Sequence, residues 1–378
     1  MIQDHAPFRA DHVGSLLRPP ELKEARAGHA KGEITDAALR AIEDRLIREA
    51  VKMQEAVGLK SVTDGDFRRQ SWSGDFLGKI KGVIRGAAPQ SPQQLTVPVG
   101  QVVRDWQPTT PKVGSKLGWP DGGMTLGSFE FLKGVTTQTP KVTMPSPSML
   151  HFRGGRGGVD TQAYPDMEQF FDDLIGVYKA EIDSLAAAGC RYIQLDDTNL
   201  AYLCDPRLRE RVKGIGEDPD QLPHLYARLI TAAIAGRPAD MKVCIHLCRG
   251  NSLSRGHAEG GYEPVAEAIF NELKVDGFFL EYDDARSGDF APLRFVPKGA
   301  LRIVAGVVTS KFGELETEDA IKRRIEEAAR YMPLEQLCLS AQCGFASHTG
   351  GNILSQEQQR AKLRLVVELA DEIWPTSG

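Results

Sequence analysis

The sequence predicts a closed (β/α)8 barrel, for three reasons. Eight short apolar runs alternate with amphipathic helical stretches, a pattern typical of parallel strands that are joined by helices. The runs are continuously apolar, as expected for strands that are covered on both faces. Polar side chains follow several different runs, and in a barrel enzyme the carboxyl ends of the strands form the active site. We therefore expect residues 1–378 to form one catalytic barrel domain.

The predicted strands and helices follow one another regularly along the chain. Predicted strands occupy residues 8–15, 59–65, 140–146, 191–197, 241–248, 276–283, 301–308 and 335–343. Predicted helices occupy about residues 36–57, 165–188, 219–235, 262–273, 317–331 and 356–373. The helical stretches are amphipathic, and the charged run KRRIEEAAR (322–330) is interpreted as the outer face of a helix. Eight strands that alternate with helices are enough to close a barrel.

A long insertion is predicted between the second and third strands. Residues from about 80 to 139 are rich in Gly, Pro, Thr and Val, which indicates a β-type excursion that flanks the mouth of the barrel. An open doubly wound sheet is the alternative fold. The barrel is favoured because no glycine-rich phosphate fingerprint follows the first strand and because the polar residues fall at several strand ends.

The composition is that of an ordinary globular protein, with 41% hydrophobic and 26% charged residues. The formal net charge of −5 argues against nucleic acid as a partner. The N-terminal stretch MIQDHAPFRADH lacks the apolar core of a signal peptide, and no run of about 18 apolar residues could span a membrane. These features predict a cytoplasmic protein whose six cysteines are reduced thiols or metal ligands.

The strand ends carry a chemically coherent set of polar residues. In chain order the set is Gly14, Ser15, Asp64, Asp66, Asp196, Asp197, His246, Cys248, Glu281 and Cys343. His246 and Cys248 stand two residues apart on the fifth strand, so both side chains project from one face, which in a barrel can be the interior. The two residues are therefore able to bind one metal ion.

Zinc is the ion that this donor set favours. A tetrahedral site needs three or four N, S or O ligands, and later strand ends supply Glu281 and Cys343 as candidates. The alternative is that Cys248 and Cys343 are small core residues and that His246 is a hydrogen-bonded interior histidine. The remaining cysteines are interpreted as packing residues: Cys190, Cys204, Cys244 and Cys338.

Other strand ends predict contacts with a substrate. In SVTDGDFRRQSW, Asp66 is expected to receive an ammonium group or a hydroxyl, although the same residues would suit the capped start of a helix. Asp196 and Asp197 end an apolar strand, and we expect one to face the interior and the other the wall. In HVGSLLRP, backbone amides and the hydroxyl of Ser15 would hold a carboxylate, with a tight exit turn as the alternative.

Together these residues resemble the catalytic barrel of the cobalamin-independent methionine synthase family, particularly its stand-alone bacterial members. The matching stretches extend over almost the whole chain and are FRADHVGSLLRP, VTDGDFRR, YIQLDDTNLAYL, HLCRGN, FFLEYDDARSGD, VAGVVTSKFGELE and LCLSAQCGF. The resemblance implies a (β/α)8 barrel with a catalytic zinc that is held by His246, Cys248, Glu281 and Cys343.

The same resemblance implies a binding site for an amino-acid thiol. The turn at Gly14 and Ser15 matches the segment that receives the substrate carboxylate. Asp66 and Asp196 match the acidic positions that receive its amino group, and they are the predicted catalytic carboxylates. The implied reaction is zinc-dependent transfer of a methyl group to the thiol of homocysteine, which yields methionine. The expected donor is a methyl-tetrahydrofolate or a methylated corrinoid such as methylcobalamin.

Departures from the family pattern leave the choice of methyl donor open. The sequence has no counterpart of the additional N-terminal barrel of the full-length enzymes. Asp66 stands where those enzymes have a longer Glu, and Asp197 with Thr198 replaces a Glu-Pro pair. Thr309 and Lys311 stand where they have an Asp and a catalytic His, so their proton relay to the methyl donor is not implied here.

Two other classes of function fit the same residues. A zinc-dependent alkyltransferase would act on another small thiol such as coenzyme M, and a noncatalytic zinc- or corrinoid-binding partner would hold its ligand without turnover. A metal-free decarboxylase barrel, of the kind found in uroporphyrinogen decarboxylases, leaves the His, Cys, Glu, Cys set unexplained. A dedicated methyl-carrier protein is a further predicted partner.

Overall fold

The structure is a computed structural model that describes residues 5–84, 97–104 and 111–375. Its strands are, in chain order, β1 (Ala10–Asp11), β2 (Ser61–Val62), β3 (Lys81–Ile84), β4 (Lys112–Gly118), β5 (Thr139–Pro140), β6 (Val142–Pro145), β7 (Tyr192–Asp197), β8 (Lys242–Leu247), β9 (Gly277–Glu281), β10 (Arg302–Val308) and β11 (Leu337–Ala341). The eight predicted strands correspond to β1, β2 and β6 to β11.

Seven of these strands form one parallel sheet in the order β1-β11-β10-β9-β8-β7-β6. The first strand therefore lies beside the last, as closure of a barrel requires. β2 pairs with β5, and the amide of Lys141, between β5 and β6, donates to the carbonyl of Val62 at 2.8 Å. The curled parallel sheet confirms the predicted barrel class.

Helices connect the strands and cover the sheet. They are α1 (Pro20–Ala30), α2 (Asp36–Ala56), α3 (Gly74–Leu77), α4 (Leu126–Lys133), α5 (Met167–Ala187), α6 (Asn199–Tyr202), α7 (Pro206–Gly214), α8 (Leu222–Ile234), α9 (Glu263–Glu272), α10 (Glu318–Ala329) and α11 (Gln356–Ile373). The six predicted helices correspond to α2, α5 and α8 to α11. No helix in the described part of the chain has the length and apolar character needed to cross a bilayer.

Helices α1 and α7 are missing from the prediction, although each carries a start signal. Pro20 is the first residue of α1, and Pro206 is the first residue of α7. The side chain of Asp205 caps α7, because it accepts a hydrogen bond from the amide of Arg207 at 2.9 Å. Both helices are additions to the regular strand–helix alternation, so a search for that alternation passes over them.

The insertion between β2 and β6 contains the antiparallel strands β3 and β4 and the helix α4, which confirms its predicted β-rich character. Residues 85–96 and 105–110 of it lie outside the described residues. Glu181 of α5 holds the insertion against the barrel. Its buried carboxylate accepts hydrogen bonds from the indole of Trp119 at 2.8 Å and from the amide and hydroxyl of Thr125 at 2.7 and 2.6 Å.

A buried ion pair joins the first strand to the barrel interior. Lys141 Nζ lies 2.9 Å from Asp11 Oδ1, and neither side chain is exposed. Lys141 also donates to the carbonyl of His12 and, at 3.2 Å, to Oε1 of Gln194 on β7. These contacts use all three N–H donors of the ammonium group. The hydroxyl of Tyr192 donates to Asp11 Oδ2 at 2.8 Å, so the interior contains an ordered polar network below the strand ends.

Candidate metal centre and substrate cavity

The carboxyl ends of β8, β9 and β11 bring four candidate metal ligands together. His246 lies on β8 and Cys248 directly follows that strand, Glu281 ends β9, and Cys343 follows β11. One ligand atom from each residue lies within 4.8 Å of the others, and all four residues are buried. They are the same four residues that the sequence predicts as ligands. Cys244 lies deeper on β8, in an apolar interior cluster.

The donor atoms of this cluster fit a zinc ion. The ring nitrogens of His246 and Oε2 of Glu281 are buried, yet they have no nitrogen or oxygen hydrogen-bond partner among the described residues. Nη2 of Arg286 lies 4.0 Å from that oxygen, and the imidazole contacts the thiol of Cys343. A buried polar atom without a hydrogen bond typically costs about 1–3 kcal/mol, and a bound cation would offset such a cost. The sulfur atoms of Cys248 and Cys343 are 3.5 Å apart. Two thiolates on one tetrahedral zinc, with bonds of about 2.3 Å, would lie roughly 3.8 Å apart.

The electrostatics of the cluster favour a positive charge at its centre. The pKa of Cys343 lies well below its ordinary value, mainly because the thiol of Cys248 donates to it. Burial lowers the pKa of His246, but the neighbouring Cys343, Asp196 and Glu281 outweigh burial and raise it to about 9. The anionic groups that stabilise a proton on His246 would equally stabilise a metal cation.

Surrounding contacts orient two of the candidate ligands. The backbone amide of Arg249 donates to Glu281 Oε1 at 3.0 Å, which leaves Oε2 as the oxygen available to a metal. The hydroxyl of Tyr262 accepts from the backbone amide of Glu281 at 2.9 Å and from the guanidinium of Arg249 at 2.6 Å. The amide of Gly250 donates to Sγ of Cys248 at 3.3 Å. Contacts of this kind fix the orientation of metal ligands and strengthen binding of the ion.

Asp66 follows β2 with one carboxylate oxygen held and the other open. Its backbone has a φ of 61°, a left-handed conformation that is strained in most residues other than glycine. Oδ1 lies 3.1 Å from Nη1 of Arg69 and 3.2 Å from the hydroxyl of Thr143. Asp64 supports the turn by accepting from the amide of Asp66 at 2.9 Å, and Arg18 donates to the Asp66 carbonyl at 3.0 Å. Asp66 lines the cavity described below, so its second oxygen can accept from a ligand.

The two carboxylates at the end of β7 have different surroundings, as the alternation of a strand requires. Asp196 lines the cavity, and its Oδ1 accepts from the side-chain amide of Gln194 at 2.7 Å. Burial raises the pKa of Asp196 to about 7. Asp197 is fully buried and accepts hydrogen bonds from the hydroxyls of Ser146 and Ser148. Asp197 also lines the cavity, but its other oxygen accepts from the amide of Leu200 at 2.8 Å, so both of its oxygens are in use. Asp196 is therefore the carboxylate with an oxygen available to a ligand, and Asp197 ties the strand end to its neighbour.

Gly14 and Ser15 form the turn that leaves β1. Gly14 has a φ of +127°, and a Cβ atom there would lie 2.9 Å from Cγ2 of Thr143, so the position requires glycine. The hydroxyl of Thr63 donates to the carbonyl of Gly14 at 2.6 Å. Ser15 lines the cavity, and its Oγ packs so closely on Gly344 that a Cβ atom on that glycine would lie only 1.9 Å away. The turn is thereby locked against the segment that follows β11.

One cavity of about 880 Å³ is lined by seven of the predicted strand-end residues, which are Ser15, Asp66, Asp196, Asp197, His246, Cys248 and Cys343. Gly14, Asp64 and Glu281 are not among its lining residues. Trp72, Tyr202 and Leu77 supply aromatic and apolar lining, and Arg153 supplies a cation. Loops after β8 and β11 supply further lining residues, which are Asn251, Ser252, Leu253, His257, Ser347, His348 and Thr349. The first four belong to the stretch 249–264, which the sequence suggested as a part of the donor pocket, whereas the three after β11 were not assigned to the site.

Sequence reasoning also missed the residues that hold the carboxylates from behind. Arg69 and Gln194 lie close to Asp66 and Asp196 in the sequence, within VTDGDFRR and YIQLDDTNLAYL, but neither was given a role, and Thr143 comes from β6. Lys311, which follows β10, is paired with a carboxylate: its Nζ lies 2.6 Å from Asp283 Oδ2, and both side chains are buried.

Comparisons with known proteins agree with this architecture. Residues 162–372 match the family model described as the catalytic domain of cobalamin-independent synthases. The chain is 47% identical to the uncharacterized protein YxjH of Bacillus subtilis, over 98% of this chain and 96% of that protein. It is 24% identical to a methionine synthase of Saccharolobus solfataricus, over 94% and 92%. A solved structure, titled as a putative vitamin-B12-independent methionine synthase from Listeria monocytogenes, is 42% identical, with a TM-score of 0.79 and coverage of 99% and 100%.

Proposed function

Because the chain belongs to the cobalamin-independent methionine synthase family, we propose that it transfers a methyl group to the thiol of homocysteine and so forms methionine. The observation that carries the proposal is the cluster of His246, Cys248, Glu281 and Cys343, whose donor atoms lie within 4.8 Å of one another. No second cluster of His, Cys, Asp or Glu suited to a metal occurs in the described residues.

The four side chains would hold a zinc ion. A bound zinc supplies one chemical function, which is to lower the pKa of a substrate thiol so that its sulfur is a thiolate at neutral pH. A free thiol with a pKa of about 8.5 is only a few per cent thiolate at pH 7. We expect Glu281 to be the most easily displaced ligand, since two thiolates and an imidazole already hold the ion.

Side chains around the cluster would bind the amino-acid part of the substrate. Asp66 and Asp196 both line the cavity, and each would accept a hydrogen bond from the ammonium group. Ser15 and the amides of its turn would bind the carboxylate. With both charged groups held, the thiol is oriented toward the ligand cluster and toward the methyl donor. These contacts favour homocysteine over a thiol without an amino group, such as coenzyme M.

A methyl-tetrahydrofolate is the donor that the cavity fits better. The cavity has a volume of about 880 Å³, which lies within the range of sites that enclose small molecules, about 300–1,000 Å³. Trp72 and Tyr202 offer aromatic surfaces on which a flat heterocycle can stack. A methylated corrinoid has a much larger ring system and would have to react from outside the cavity. A dedicated methyl-carrier protein stays a prediction.

The proposal is tested by measuring metal content, thiol binding and turnover. We expect about one zinc per chain and, by X-ray absorption, an additional sulfur ligand when homocysteine is added. Methyl transfer is then assayed with methyl-tetrahydrofolate and with methylcobalamin. Stoichiometric zinc without consumption of homocysteine, whichever donor is supplied, would identify a noncatalytic binding protein instead.

Two cysteine variants, one on β8 and one directly after it, separate metal binding from general damage. Cys248→Ala removes a proposed ligand and is expected to abolish turnover and to release most of the zinc. Cys244→Ala is the matched control, because it removes a buried thiol four residues earlier that lies outside the ligand cluster. Full zinc content and full activity in Cys248→Ala would refute the proposed metal centre.

A further inference from the structure

Gln194 connects the proposed substrate ligand Asp196 to the ion pair in the barrel interior. It lies on β7 two residues before Asp196, on the same face of the strand, and it is fully buried. Its Nε2 donates to Asp196 Oδ1 at 2.7 Å and to the carbonyl of Val13 at 2.8 Å. Its Oε1 accepts from Lys141 Nζ at 3.2 Å.

Lys141 determines which way the amide of Gln194 points. An ammonium group has three donors and no acceptor, so the amide atom beside Lys141 must be the oxygen. The amide nitrogen then faces two acceptors, the carboxylate of Asp196 and the carbonyl of Val13, and uses one hydrogen on each. A flipped amide would set donor against donor and acceptor against acceptor. The orientation is therefore maintained by Lys141, which is itself held by Asp11.

We propose that Gln194 is a positioning residue for the thiol substrate, which holds Oδ1 of Asp196 and so presents Oδ2 to the substrate ammonium group. The inference rests on the proposed function, because it takes the substrate to be an amino-acid thiol. Asp66 is held in the same manner, with Arg69 and Thr143 both on its Oδ1.

In each carboxylate one oxygen is anchored to the protein and the other is left for a ligand. Such preorganisation lowers the cost of ordering the site when a ligand binds. The preference for a thiol that carries an amino group over one that does not is thus determined in part by Gln194, which does not contact the substrate.

The test compares two thiols that differ only in the amino group, homocysteine and 4-mercaptobutyrate. Their binding to the zinc-loaded protein is measured by calorimetry. In Gln194→Met, which removes the amide, affinity for homocysteine is expected to fall about tenfold, or about 1.4 kcal/mol. Affinity for 4-mercaptobutyrate is expected to stay unchanged. In turnover assays the KM for homocysteine is expected to rise, with little change in kcat.

Gln336→Met is the matched control for the loss of a buried amide. Gln336 donates to the carbonyls of Pro297 and Leu301 at 3.0 and 2.7 Å, and it does not line the cavity. This variant is expected to lose stability without changing the ratio of the two affinities. If Gln194→Met lowered the affinity for both thiols equally, or for neither, the inference would be overturned. Turnover by the wild type would still support the proposed function. A wild type that does not prefer homocysteine would refute the amino-acid thiol site, and the inference with it.

Discussion

Replacing Lys141 by Met tests the buried ion pair beneath the candidate site. The change removes a positive charge from a fully buried position while keeping an unbranched side chain. Asp11 would lose its counter-charge but would keep hydrogen bonds from the hydroxyls of Ser61 and Tyr192, both at 2.8 Å. It would also keep the amide of His12 at 2.8 Å.

The expected loss of stability is about 3 kcal/mol. Removing one partner of a buried ion pair typically costs about 3–5 kcal/mol, because the remaining charge is left uncompensated. The remaining donors around Asp11 place the effect at the lower end of that range. The carbonyl of His12 and Oε1 of Gln194 lose a donor as well, so a much smaller effect is not expected. Against a typical total of about 5–15 kcal/mol, this is a large fraction of the stability.

Urea unfolding at pH 7, followed by circular dichroism, measures this loss as a shift of the midpoint at constant m-value. The double variant Asp11→Asn with Lys141→Met removes both charges, and we expect it to be more stable than the single Lys141→Met variant. A loss below about 1 kcal/mol in the single variant, or losses that simply add in the double variant, would refute the view that a charge pair stabilises the interior.

Two further predictions concern acid stability and zinc retention. Burial lowers the pKa of His12 to about 3 from its ordinary 6.5. Between these two pH values the unfolded chain binds a proton at His12 and the folded chain does not, so the free energy of unfolding falls as the pH drops from about 6.5 to about 3. His12→Asn should reduce that slope by up to about 1.4 kcal/mol per pH unit; equal slopes for both proteins in unfolding titrations from about pH 6 to pH 4 would contradict this. Tyr262→Phe removes the hydroxyl that accepts from the amide of Glu281, and zinc affinity, measured by chelator competition, is expected to fall about tenfold. Tyr226→Phe, which loses a hydroxyl contact to His151, should retain its zinc; equal retention by both variants would exclude a role for Tyr262.

The fold was predictable because its signal is repeated along the chain. Each apolar run and each amphipathic stretch indicates its own secondary structure without information from other parts of the chain. The predicted last helix, 356–373, accordingly agrees with α11 to the residue. The short first strands were the least well defined. β1 spans only Ala10–Asp11 within the predicted 8–15, because polar contacts at His12 and the turn at Gly14 end the regular pairing.

The candidate site was predictable only where residues at strand ends have unusual chemistry. His246 and Cys248 attract notice because a histidine and a cysteine are uncommon partners in an apolar run. Gln194 does not, since one glutamine in YIQLDD has no distinctive meaning until the fold brings Lys141 beside it. Arg69 could not be assigned a role for the same reason, because its contact with Asp66 depends on a left-handed backbone conformation that the amino-acid sequence does not reveal.

The candidate ligands come from distant parts of the sequence, and Cys343 follows Cys248 by 95 positions. A chain in which the final strands have not yet docked therefore offers no complete set of four ligands. A metal that binds only the native state shifts the folding equilibrium toward that state by mass action. The concentration of zinc in the cell would therefore affect the fraction of chains that are fully folded. Under zinc scarcity, we expect a larger share of newly made chains to remain vulnerable to proteases.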